Sequence, residues 1–269
     1  MDPQAFEELL AEGGSVPVRG WDFSWFDGRA TEERPPWGYS RRLTGRLAGP
    51  RAALDLQTGG GEVFAEALAR VSEPPPVLAA TESWPPNAGP ARDRLRRFGV
   101  AVVRAADGGG FPFAAGSFDL VVSRHPTVVA WDEIARVLAP GGTYFSQQVG
   151  AGSVRELTDF LMGPQPVSQA RAPDRAVRAA EAAGLRVVDL RQASLRMAFH
   201  DVGAVVHFLR KVIWIVPDFM VDRYRGRLAV LHDQIQAEGP FVAHAQRFLI
   251  EAHRPGRDQR PGPEGGAGP

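Results

Sequence analysis

The chain has no cysteine in its 269 residues, so neither a disulfide framework nor thiolate chemistry is available to it. It also has no net charge. Thirty-one basic residues balance 31 acidic ones, which leaves no strong field to hold or steer a polyanion. Nucleic acid is therefore not an expected partner. No apolar run reaches membrane-spanning length, and Met1-Asp2-Pro3 lacks the basic and apolar segments of a signal peptide. These absences predict a cytoplasmic protein with no membrane partner. No histidine pair has metal-ligand spacing with a carboxylate helper, so no metal is expected. What is present suits a globular fold: 44% of residues are hydrophobic and 23% charged. Arginine far outnumbers lysine, a compositional bias that says little about chemistry.

The chain opens with a short predicted helix over 3–12. An aromatic stretch follows, Trp21-Asp22-Phe23-Ser24-Trp25-Phe26-Asp27, then Arg34-Pro35-Pro36-Trp37-Gly38-Tyr39, where the prolines favour irregular geometry. So many rings must bury against something, either a sheet edge or a pocket beneath them as a lid. From Arg51 a strand–loop–helix rhythm sets in. Apolar runs at 52–56, 77–80, 100–103, 118–122 and 143–149 read as strands, and 62–70, 87–98 and 131–138 read as helices. Gly99 stops the second of these helices. Continuous apolar strands alternating with helices predict an α/β fold, a mostly parallel sheet covered on both faces. Beyond it, 173–183, 201–215 and 222–238 read as helices, and 185–190 and 241–252 as strands. Asp201 is placed to cap the apolar helix that follows it.

The loop Asp55-Leu56-Gln57-Thr58-Gly59-Gly60-Gly61-Glu62 joins the first of these apolar strands to its helix. Glycines there let a backbone pass close to a ligand, and ligands bind at strand carboxyl ends in open α/β sheets. The spacing does not satisfy the dinucleotide pattern, and no lysine follows as a phosphate-binding loop requires. Glu82 falls just past the second such strand, placed to accept hydrogen bonds from ribose hydroxyls. Asp107 lies beyond the third, followed by Phe111-Pro112-Phe113. The acid suits an adenine amine and the rings suit its face.

These segments, with Ala80-Thr81-Glu82, Ser117-Phe118-Asp119-Leu120-Val121 and Arg136-Val137-Leu138-Ala139-Pro140-Gly141-Gly142, resemble class I S-adenosylmethionine-dependent methyltransferases over roughly residues 45–150. The remainder looks like a bacterial small-molecule methyltransferase subgroup. The resemblance implies a three-layer Rossmann-like fold with a seven-stranded sheet whose last strand is antiparallel. It implies one domain over 1–255, in which 1–45 form a helical and aromatic lid and 195–240 a helical insertion, and a disordered tail over 256–269. It also implies S-adenosylmethionine as cofactor, held by Asp55, Gln57, Gly59, Gly61, Glu82, Asp107, Phe111 and Arg124. The expected activity is methyl transfer to an oxygen or nitrogen nucleophile of a small molecule in secondary metabolism, by a homo- or hetero-oligomer.

Methyl transfer needs an aligned nucleophile and, for many acceptors, a base. His125, in Ser123-Arg124-His125-Pro126 at the end of the fourth apolar strand, and His200 are the candidates. His125 reads equally as a packed loop histidine, and Arg124 as one half of a surface salt bridge. Gln147 and Gln148 point to opposite faces of their strand, so at most one lines a pocket. Gln57 departs from the family pattern, which carries glycine there. Its amide either hydrogen-bonds the cofactor's carboxylate or fills the cofactor's volume. The second outcome predicts a methyltransferase-fold homologue repurposed for another biosynthetic reaction or serving as a partner subunit.

Overall fold

The computed structural model describes residues 3–18 and 23–256. Trp21, Asp22 and the glycine- and proline-rich tail from 257 onward lie outside the described residues. The strands are β1 (Ala30–Glu32), β2 (Ala52–Leu56), β3 (Val77–Thr81), β4 (Ala101–Val103), β5 (Phe118–Arg124), β6 (Leu138–Val149), β7 (Arg186–Phe199) and β8 (Phe241–His253). The helices are α1 (Pro3–Ser15), α2 (Tyr39–Leu47), α3 (Glu62–Leu68), α4 (Pro85–Leu95), α5 (Trp131–Val137), α6 (Arg155–Met162), α7 (Pro173–Ala182), α8 (Val202–Lys211) and α9 (Val221–Glu238).

The eight strands form one sheet in the order β1-β7-β8-β6-β5-β2-β3-β4. Pairings β2–β3, β2–β5, β3–β4 and β5–β6 are parallel. The last strand runs antiparallel to β6: Gly141 and Gly142 exchange backbone hydrogen bonds with Arg254, and Gly150 donates to Gln246. The sheet has eight strands rather than the expected seven because β1 adds an antiparallel edge, Ala30 opposite Phe199. β6 begins at Leu138, earlier than the expected 143, because Gly141 and Gly142 bond to Arg254 instead of turning away. β7 runs past 190 to Phe199, with Leu195, Met197 and Phe199 buried between exposed Ser194 and Arg196. Helices α2 and α6 had no counterpart in the sequence reading.

Two compact units divide the chain: 1–38, 149–172 and 192–248 in the first, and 39–148, 173–191 and 249–269 in the second. The second contains the glycine loop. All five residues of β2 are buried, as a central strand covered on both faces requires. Its helices form two groups, α2 and α4 each packing on α3, and α5 packing on α7. The first unit has its own apolar core, in which Phe6, Leu10, Phe26, Leu157, Phe199, Leu209 and Leu228 are buried. Asp201 caps α8, its Oδ1 accepting from the Ala204 amide at 2.8 Å. The aromatic stretch supplies this unit with Trp25 and Phe26, each with its ring centroid 5.0 Å from that of His207. Among the described residues no helix is long and apolar enough to cross a membrane.

Candidate functional site

The site is best built from the end of β2. From there the chain passes to β3 and β4 on one side of the sheet, then returns to β5 and β6 on the other. The gap between β2 and β5 is therefore the topological switch point, where the connections diverge and a crevice opens at the carboxyl ends. Asp55 lies in β2, one residue from this end, and is buried. Burial pushes its carboxyl group up to about 7; the Thr58 hydroxyl, donating to Oδ2 at 2.6 Å, works against this and the neighbouring Glu82 adds to it. Glu82 follows β3 and is buried as well. One oxygen accepts from the Gly59 amide at 2.7 Å and the other from the Trp84 amide at 2.8 Å. Burial raises the Glu82 pKa, these two amides restrain the rise, and Asp107 adds to it. Gly61 has φ 78°, and a Cβ there would stand 2.9 Å from Leu95 Cγ, so only glycine lets the loop lie this close to α4.

Asp107 lies past β4, and its Oδ2 accepts from the Thr127 hydroxyl at 2.8 Å. Phe111 is buried, its amide donating to Glu133 and its carbonyl accepting from Arg136. The same guanidinium bonds Phe113 O, so the Phe111-Pro112-Phe113 turn is fixed by one Glu133–Arg136 pair.

At the end of β5, Arg124 is exposed and makes no ion pair among the described residues. His125 follows with φ 54°, in the left-handed region. Its amide donates to Gln147 O at 2.7 Å and its ring Nε2 lies 2.8 Å from Gln147 Nε2. An amide nitrogen only donates, so in this arrangement Nε2 is the acceptor. Gln148 points elsewhere, with Nε2 3.5 Å from the Tyr144 hydroxyl, as strand alternation requires. Behind the β5 end is a buried polar network. Ser123 Oγ lies 2.8 Å from the Tyr144 hydroxyl and 2.9 Å from Ser146 Oγ. Tyr39 stacks on Phe145 and donates to Ser123 O at 3.0 Å.

Gln57 joins the two sides of the crevice. Its Nε2 donates to Val128 O at 2.6 Å, and its Oε1 accepts from the Thr127 amide at 2.6 Å and lies 3.0 Å from Thr127 Oγ1. The side chain thus bonds to the loop after β5.

Of the residues singled out from sequence, Asp55, Gln57, Gly59, Gly61, Glu82, Asp107, Phe111, Arg124 and His125 all fall in the second unit. Gly59 is bonded to Glu82, and Gln57 is linked through Thr127 to Asp107. His200 falls in the first unit, exposed, with its amide donating to Arg29 O at 2.8 Å. Tyr39 and Thr127 were missed. Tyr39 sits among prolines that hide its helix, and Thr127 is distinguished only by contacts remote in sequence.

The strand order, the loop after β2 and the acid after β3 decide the comparison with known proteins. Residues 54–146 match the family model described as a methyltransferase domain. Over that stretch, which runs from β2 into β6, the chain is similar to methyltransferase domains. Among solved structures, a Bacillus halodurans C-125 protein assigned as a methyltransferase is similar to it at 16% identity and a TM-score of 0.57, covering 80% of this chain and 98% of its own. A functionally unknown protein from Deinococcus radiodurans R1 is similar at 14% identity and 0.55, covering 93% and 99%. A third, from Galdieria sulphuraria, is assigned as a sarcosine dimethylglycine methyltransferase; it is 16% identical with a TM-score of 0.51, covering 94% and 98%. These likenesses show the shared fold. No curated protein matches the chain in sequence.

The cofactor expected of a methyltransferase domain is S-adenosylmethionine. The donor set around Glu82 fits it. The Gly59, Trp84 and Ser83 amides bond the carboxylate, whose roughly four acceptor positions leave room for a hydroxyl donor. At residue 57 the fit fails, because a carboxamide crosses the crevice where a methyltransferase loop has no side chain.

Proposed function

We propose that the protein transfers a methyl group from S-adenosylmethionine to an oxygen or nitrogen nucleophile of a small molecule, with His125 as the base. The observation that carries this reading is the His125–Gln147 pair at the ends of β5 and β6, one strand from the glycine loop and two from Glu82. When bound, the cofactor supplies an electrophilic methyl carbon on a sulfonium. Glu82 accepts hydrogen bonds from the ribose hydroxyls, Asp107 accepts from the adenine amine, and Phe111 supports the turn that covers the ring. Gly59 and Gly61 admit the backbone to close contact, and Asp55 fixes the loop through Thr58. Arg124 gives the crevice mouth a positive charge. The acceptor's O–H or N–H would take the place of the Gln147 amide at His125 Nε2, and that nitrogen would take the proton as the nucleophile displaces the thioether, the S–CH3 bond breaking with its electron pair left on sulfur. His200, in the other unit, is the second candidate base.

The test is product detection with methyl-labelled S-adenosylmethionine against a panel of small phenols, carboxylic acids and amines. General-base catalysis contributes about 10²–10⁴-fold, so His125→Ala lowers kcat at least about a hundredfold, with the dissociation constant for S-adenosylhomocysteine unchanged. Full activity in His125→Ala contradicts the assignment.

One observation favours a second reading. The Gln57 carboxamide spans the crevice, as expected of a methyltransferase-fold protein repurposed for another reaction or for partnership. Labelled product from any acceptor excludes that reading.

A further inference from the structure

Position 57 is the first residue beyond β2 and has φ 55°, a left-handed conformation that glycine adopts freely and glutamine does not. Among the described non-glycine residues only His125, Val154 and Asp218 share it. Such strain persists when the surroundings hold it, and here the carboxamide holds it. Its Nε2 faces an acceptor, Val128 O, and its Oε1 faces a donor, the Thr127 N–H, so its orientation has no alternative. The Thr127 hydroxyl has one proton and two acceptors in reach. The charged Asp107 oxygen, at 2.8 Å against 3.0 Å for Gln57 Oε1, is the stronger one. The loop that Gln57 holds therefore also occupies Asp107.

The place of this contact decides its meaning. β2 and β5 are adjacent, Leu56 opposite Ser123, and the chain leaves their carboxyl ends in diverging directions. Gln57 leaves the end of β2, and Thr127 and Val128 belong to the loop after β5. The carboxamide closes the gap that the strand order opens.

We propose that Gln57 is a latch across the switch-point crevice, which a nucleoside ligand enters only when the carboxamide releases Thr127 and Val128. Residue 57 then sets the affinity of the site. Release also frees the Asp107 carboxylate, so one opening prepares two parts of the crevice. The proposal rests on the reading of this crevice as the cofactor site. It places Gln57 in control of entry and leaves the reaction to other residues.

Two measurements on the full chain test it. The first needs no ligand: amide hydrogen exchange at Thr127 in wild type, Gln57→Gly and Gln57→Met. Methionine keeps the length of the side chain and removes its hydrogen bonds. In both variants the Thr127 amide exchanges at least about fivefold faster than in wild type, since a typical hydrogen bond corresponds to roughly two- to tenfold in an opening equilibrium. The second is titration with S-adenosylhomocysteine. Both variants bind at least about fivefold more tightly than wild type. Thr127→Val, which frees Asp107 but keeps both backbone contacts, gains less. Unchanged exchange at Thr127 overturns the latch. So does tighter binding by Gln57→Gly alone, which makes residue 57 simple bulk, and so does weaker binding by both variants, which makes it a ligand contact. Absence of binding by all three proteins counts against the cofactor reading, and the exchange measurement then decides the latch by itself. Thermal unfolding confirms that each variant is folded.

Discussion

Asp55 holds its proton to far higher pH than an ordinary aspartate, because β2 is buried on both faces; Glu82 adds to the effect and the Thr58 hydroxyl opposes it. Its folded pKa of about 7 stands above the unfolded value of 3.8, so between these values the folded state binds the extra proton. The stability Asp55 contributes is complete below the unfolded pKa and is lost as pH rises through about 7. The difference is worth at most about 4 kcal/mol at 1.36 kcal/mol per pH unit. Asp55→Asn is expected to flatten the decline in stability between pH 4 and pH 7 that wild type shows in urea titrations, taken over about that interval. An identical decline in the variant places the titration elsewhere. Glu82 gives a second test. Hydrogen bonds to charged groups are worth roughly 1.5–3 kcal/mol, so Glu82→Ala should weaken S-adenosylmethionine at least about tenfold. Both acids were legible in the sequence because Asp55 falls near the end of one apolar run and Glu82 just past another. The course of the Gln57 side chain was not. Sequence showed an amide where glycine is usual, but its partners Thr127 and Val128 lie far along the chain.

At the scale of elements, the crossing of α1 and α8 in the first unit is the sharpest prediction. A Cβ at Gly203 would stand 2.7 Å from Leu9 O, and one at Gly13 2.3 Å from Gly203 O. Both obstacles are backbone, which cannot swing aside. Gly203→Ala is expected to destabilise the protein by about 1–3 kcal/mol, the usual cost of overpacking. Gly226, in α9, has open space around its Cα. Gly226→Ala is expected to stabilise by up to about 1 kcal/mol, the helix-propensity difference. Thermal melts showing the same sign for both variants refute the crossing. His207, on α8, supplies the opposite pH dependence to Asp55. Burial, with Lys211 and Arg210 behind it, pushes its pKa down to about 4. The stability it contributes is present above its unfolded pKa of 6.5 and is lost as pH falls through about 4, so His207→Phe should flatten that acid limb. Periodicity carried β2, β3 and β5 and the stop at Gly99. It found β6 but set its start five residues late, because Pro140-Gly141-Gly142 reads as a turn and pairing with Arg254 makes it strand. It failed for β1, too short to show alternation and formed by pairing with β7.

For the whole molecule, the parallel order β6-β5-β2-β3-β4 matters more than any single residue, since it fixes where a ligand can sit. The parallel alternation of strands and helices was legible, because β2 and β5 read as apolar runs; the order was not, and β4 passes to β5 with no helix between them. The division into two units was not legible, since no linker marks it and β7 and β8 each contribute residues to both. The family model likewise covers only residues 54–146, within the second unit. The account as a whole depends on a nucleoside held by Glu82 beside the glycine loop. The direct measurement is calorimetric titration of the full chain with S-adenosylhomocysteine, wild type beside Glu82→Ala. Saturable binding with one site per chain, weakened at least about tenfold in the variant, is the result this account predicts. Saturable binding of equal strength in both proteins, or none in wild type, would contradict it.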